Sequence, residues 1–154
     1  MLRQLRKVRW EERGFTLTEV MVVIIMMGIV FAIASSTWFG VAESRRVDSA
    51  TNQVAADMRL AHTSASNRLV PWRVVLTTGA PSYQLVRQSS PTSTNTRSLP
   101  DGTEIGTTIT VQFAADGSAS VISGSGNMIV VRSTDGNPQH TISFNTATSR
   151  IEIV

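Results

Sequence analysis

The run Arg13-Gly-Phe-Thr-Leu-Thr-Glu19, continued by Val20-Met-Val-Val-Ile-Ile-Met-Met-Gly-Ile-Val-Phe-Ala-Ile-Ala34, decides how the chain is organised. From Val20 to Ala34 no side chain is charged. Counted from Phe15, the segment reaches twenty residues and contains Thr16, Thr18 and Glu19. Twenty helical residues rise ~30 Å, about one bilayer core. The run is apolar on every face, which speaks for a membrane span over a half-buried core helix.

A basic leader precedes it. Residues 1–14 hold Arg3, Arg6, Lys7, Arg9 and Arg13 against Glu11 and Glu12, a local charge of +3. That equals the net charge of the whole chain, so residues 15–154 balance, with nine charges of each sign. The sequence pI of about 10.5 is therefore a property of the leader and does not mark a generally basic surface. A basic start before an apolar run reads as an insertion signal, with the leader on the cytoplasmic side. Ala32-Ile33-Ala34 before Ser35 also fits a signal-peptidase site that would release a soluble product. Glu19, at the start of the apolar run, and the helical period continuing past Ser36 both speak against that alternative.

Beyond the span the pattern is amphipathic. Val47, Ala50, Val54, Met58, Ala61 and Ala65 recur at spacings of three and four, lining one helix face. No proline precedes Pro71. The pattern predicts one helix from near Phe15 to near Arg68, ended by Pro71, which disfavours helical geometry in the residue before it. After Pro71 short alternating runs take over: Trp72–Thr77 and Tyr83–Arg87 as a hairpin, then Thr108–Phe113, Met128–Arg132, Thr141–Asn145 and Arg150–Val154. Asp101-Gly102, Asp116-Gly117 and Asp135-Gly136 supply turns. The polar stretch Gln88–Ser98 reads as a mobile surface loop. The expected fold is α+β: a long N-terminal helix, transmembrane in its first half and amphipathic in its second, packed on a C-terminal antiparallel β domain.

The heptad Arg13–Glu19 between basic leader and apolar run resembles the prepilin motif of type IV pilins and type II secretion pseudopilins. The resemblance implies cleavage after Gly14 by a prepilin peptidase, N-methylation of Phe15, and an assembly role for Glu19. It implies four parts: leader 1–14, transmembrane and filament-core helix 15–38, amphipathic helix 39–70, and extracytoplasmic β domain 71–154. The expected partners are the peptidase, other pilin or pseudopilin subunits through the N-terminal helix, the inner-membrane assembly platform and the lipid bilayer. The expected location is a single-pass inner membrane with the N-terminus cytoplasmic, and a pilus or pseudopilus after assembly. Phe113-Ala-Ala-Asp-Gly117 and Thr148-Ser149-Arg150 are similar to turns of the minor pseudopilin branch named for GspH and FimT, with Ser149 where that branch carries Gly.

Chemistry is sparse. The absence of cysteine removes disulfides, thiol nucleophiles and Cys-based zinc sites. His62 and His140 read as structural residues. There is no P-loop, no dinucleotide fingerprint and no H-E-x-x-H. The Asp-Gly pairs lack the spaced oxygen ligands of a calcium loop. No catalytic residue, metal or cofactor is expected, and the chain reads as a structural subunit. An anchored enzyme would need a convergent pocket that the sequence does not advertise. DNA uptake is the alternative function, since some FimT-like pilins serve it. Phosphate binding requires clustered cations, and here only Arg132 and Arg150 stand as candidates, with Glu152 where DNA-binding relatives place a second basic residue.

Overall fold

The computed structural model describes residues 14–89, 92–124 and 126–154, with backbone alone at 36–39. The basic leader, residues 1–13, lies outside the described residues. The chain divides into two compact units, Met1–Trp38 and Phe39–Val154.

One α-helix, α1, runs over Leu17–Arg68. In the first unit its described side chains are mostly exposed: Ile24, Met27 and Phe31 are 63%, 70% and 77% exposed. In the second unit the pattern inverts. Val47, Ala50, Val54, Ala55, Met58, Ala61 and Ala65 are completely buried, the stripe expected from their spacing. Alanine dominates it because a small side chain lets the β-sheets approach the helix backbone closely, while Met58 fills the wider gap. Thr51 is buried on the same face and donates its hydroxyl to the Val47 carbonyl at 2.7 Å. The helix stops at Leu69, whose φ of 53° is left-handed, a common way to end a helix though usually with Gly. Pro71 follows.

Among the described residues nine strands follow: β1 Trp72–Leu76, β2 Ser82–Arg87, β3 Ser93–Ser98, β4 Thr103–Ile105, β5 Ile109–Phe113, β6 Ala119–Ser123, β7 Met128–Ser133, β8 Gln139–Phe144 and β9 Ile151–Ile153. They form two sheets, β3-β2-β1-β5-β6 and β4-β7-β8-β9, antiparallel at every pairing. Alternation sorts the inward residues: Val74 and Leu76, Tyr83 and Leu85, Ile109, Val111 and Phe113 from the first sheet; Ile105, Ile129, Val131, Ile142 and Phe144 from the second. With the stripe of α1 they make one continuous core. The expected hairpin Trp72–Arg87 is present, with Val74 opposite Leu85.

One expectation is corrected. Within the stretch read as a mobile loop, Ser93–Ser98 forms β3, paired along its length with β2. All six of its residues are exposed. A fully solvated edge strand needs no apolar alternation, because its backbone bonds come from β2, and Thr94 and Thr96 suit extended geometry. β4 and β6 also escaped the sequence reading, being only three residues long and glycine-flanked respectively. The predicted Asp-Gly turns stand: Gly102, Gly117 and Gly136 all have positive φ. In the β5–β6 turn, Asp116 Oδ1 accepts from the Ser118 hydroxyl at 2.7 Å and the Ser118 amide at 2.9 Å. These bonds hold its carboxyl below the usual range.

Polar latches tie α1 to the sheets within the second unit. The Tyr83 hydroxyl donates to Asp57 Oδ2 at 2.7 Å, and Arg97 Nε lies 3.3 Å from the same oxygen. Gln53 donates to the Ser98 carbonyl at 2.8 Å and Arg59 to the Ile151 carbonyl at 3.1 Å. The last two occupy acceptors on the edge strand β3 and on β9, which blunts those edges against further pairing. Burial, and then the hydrogen bond to Asp57, push the Tyr83 hydroxyl well above its ordinary range.

A pKa raised in the folded state keeps the proton on the folded chain after the unfolded chain has lost it. The stability Tyr83 contributes is thus complete below about pH 10 and is lost as pH rises through the folded value. Tyr83→Phe is expected to cost about 1–2 kcal/mol at neutral pH and to flatten the alkaline decline. Urea unfolding at pH 7 and above pH 10 checks both, cleanly, because Tyr83 is the sole tyrosine.

Candidate functional site

The motif that carries the sequence argument lies at the start of α1. Gly14, Phe15 and Thr16 are non-helical, and Leu17 begins the helix. Thr16 occupies the cap position. Its carbonyl accepts the Val20 amide at 3.2 Å, and its hydroxyl accepts the Glu19 amide at 3.2 Å. A Thr cap with Glu three residues on is the sequence form of a capping box. Thr18 Oγ1 lies 3.2 Å from Thr16 Oγ1. Phe15 is 81% exposed, and a side chain added at Gly14 would meet nothing within 4 Å. Among the described residues nothing crowds the bond between these two residues, and it lies outside the helix.

Glu19 sits in the first turn of α1, where the amides and the helix dipole favour a carboxylate. It is the only charged residue between Phe15 and Ala42. After it the helix is long and apolar enough to cross a membrane, with a mean hydropathy of 2.6 over its best window. Gly14, Phe15 and Glu19 thus lie close together at the start of α1. The sequence signal for this cap is the T-x-x-E spacing of Thr16 and Glu19, which the motif alone does not single out.

The β unit offers little chemistry. Arg132 Nη2 is 2.7 Å from Glu104 Oε1, and Arg150 Nε is 2.6 Å from Glu152 Oε1. The two arginines are not joined into a cationic patch; each is neutralised by its own carboxylate. A shallow groove of about 890 Å³ lies between Met128, Ser143, Thr148, Arg150 and Glu152; Glu152 stands opposite Ser143 across β8 and β9, and its carboxylate is held by Arg150. Among the described residues there is no cluster of three metal-binding side chains.

Both histidines are structural in the described unit. His62 Nε2 is 3.0 Å from the Gly117 carbonyl, and its ring meets Phe113 edge-on at 5.6 Å. His140 Nε2 stands 3.0 Å from Asp48 Oδ1. Ser149, where the GspH-like pattern has Gly, adopts a left-handed φ of 55°. Its hydroxyl donates to the Gly117 carbonyl at 2.6 Å, so the β8–β9 turn, the β5–β6 turn and α1 meet at one oxygen. This contact pays for the unfavourable backbone that Gly would have avoided.

The family model described as the prokaryotic N-terminal methylation motif matches residues 11–35. No curated protein matches the chain. Among solved structures, the chain is similar to the minor pseudopilin EpsH from the Type 2 Secretion System of Vibrio cholerae, with a TM-score of 0.58 at 7% identity, covering 71% of this chain and 96% of that one. At that identity the likeness shows the fold: a long N-terminal helix followed by antiparallel sheets.

Proposed function

We propose that this chain, assigned to the type IV pilin and pseudopilin superfamily by its N-terminal motif and its GspH-like fold, is the precursor of a minor filament subunit. That superfamily is one of structural subunits, not enzymes. The observation that carries the reading is the open, non-helical Gly14–Phe15 junction directly before a membrane-length apolar helix. On this reading a prepilin peptidase removes residues 1–14 on the cytoplasmic face and Phe15 is N-methylated. Residues 15–38 then hold the subunit in the inner membrane, with the β unit outside. Assembly moves this helix from lipid into a bundle of subunit helices, exchanging one apolar surrounding for another, so that packing and charge decide the register. The filament serves type II secretion or a type IV pilus. The competence alternative gains no support from Arg132 and Arg150, both already paired.

N-terminal mass spectrometry of the processed protein tests this directly. The expected product begins with N-methylphenylalanine at position 15. A soluble product beginning at Ser35, or an uncut chain in cells that process other prepilins, overturns the reading.

A further inference from the structure

We propose that Thr16 is a positioning residue for leader removal: by capping α1 it keeps the Gly14–Phe15 bond outside the helix, where a peptidase can bind it. The proposal rests on the prepilin reading above and adds to it a determinant of cleavage efficiency.

Hydrolysis here adds water across the Gly14–Phe15 amide, hydroxide to the Gly14 carbonyl carbon and a proton to the Phe15 nitrogen, which leaves as an amine and becomes an ammonium by taking the proton that the new Gly14 carboxyl group releases. A peptidase needs the carbonyl and N–H of that bond free, and a helix would tie both into its own ladder. Where the helix begins is therefore decisive. The sequence upstream of Pro71 contains no proline, so nothing in the composition alone sets the boundary apart from Gly14, which only weakens a helix. The structure shows the second device. Thr16 offers its hydroxyl to the Glu19 amide and its carbonyl to the Val20 amide, the two bonds of a residue that is half in the helix and has non-helical geometry itself. Gly14 and Phe15 consequently project from the helix end, with open space around Gly14 and Phe15 exposed. The cap sits two residues beyond the scissile bond, near enough to fix the chain direction through it.

Capping chemistry and side-chain shape separate cleanly at this position. Asn and Ser cap as well as Thr, whereas Val copies the shape of Thr and cannot cap. The test measures the initial rate of leader release from the full-length, detergent-solubilised chain by a prepilin peptidase, for wild type, Thr16→Val, Thr16→Ser and Thr16→Asn. Amide hydrogen exchange at Glu19 is followed in parallel. Thr16→Val is expected to be cut about fivefold more slowly and to lose protection at Glu19, the size of shift one lost cap produces. Thr16→Ser and Thr16→Asn are expected to stay within about twofold of wild type. A peptidase that reads the shape of the residue would instead rank Val above Asn, and that order overturns the proposal, as does Val cut at the wild-type rate. Wild type left uncut at Gly14 would overturn the prepilin reading itself, an outcome distinct from any reordering of the variants.

Discussion

Glu19→Ala is expected to be cleaved and methylated at Phe15 yet to fall out of filaments, with incorporation reduced tenfold or more (~1.4 kcal/mol per decade). Glu19 is isolated: no other charge lies between Phe15 and Ala42. A carboxylate without a partner costs several kcal/mol in an apolar bundle, so a subunit entering the filament must find a cation for it. On the proposed function, leader removal creates one at the Phe15 nitrogen. Within its own chain that ammonium faces the positive end of α1, which is unfavourable, so the new charge gains from a carboxylate contributed by a neighbour. A subunit lacking Glu19 has no such pairing to select its axial register. The bond that begins the helix comes from the Glu19 backbone amide and survives the substitution, which is why processing should persist. The measurement pairs mass spectrometry of the membrane form with the amount of subunit in sheared filaments. Glu19→Gln separates charge from size and should behave like Ala. Normal incorporation of either variant would remove Glu19 from the assembly mechanism.

The parts of this fold that could be read in the sequence are those where side-chain pattern and backbone geometry are coupled. The buried stripe Val47–Ala65 was visible because a helix packed on one side must repeat every three or four residues. Ile109, Val111 and Phe113 were visible because a strand buried on one face must alternate. β3 was hidden for the opposite reason: a strand exposed on both faces imposes no pattern, and Ser-Thr-Asn-Thr-Arg-Ser serves a loop equally well. The junction at Gly14–Phe15 was legible as a motif, whereas its mechanical basis was not, since a cap is a hydrogen bond and only its spacing is written in the chain. Ser149 illustrates a third case. Its left-handed backbone is held by a bond to Gly117, thirty-two positions away in sequence, and no local pattern encodes a partner so distant.

Phe113→Ala carries the largest expected loss of stability and also tests whether the two units have separate tasks. Phe113 is completely buried, pairs across the sheet with Trp72 and Ala119, and supports the His62 ring that reaches the Gly117 carbonyl. Truncation removes a whole aromatic ring from a site bounded by two strands and a helix, which have little room to collapse. Such changes cost about 3–5 kcal/mol, a large share of the ~5–15 kcal/mol that holds a domain together. The melting transition of the β unit should fall by roughly 15 °C, read by circular dichroism in detergent. Ile153→Ala, at a side chain already 40% exposed, should cost far less. The decisive comparison is with processing. Gly14, Phe15, Thr16 and Glu19 all belong to the first unit, so Phe113→Ala should still be cleaved at the wild-type rate while losing its place in filaments, where the β unit must make its contacts. Loss of cleavage along with the fold would mean that the peptidase reads the β unit as well as the junction, and the motif at the helix start would no longer suffice as its substrate.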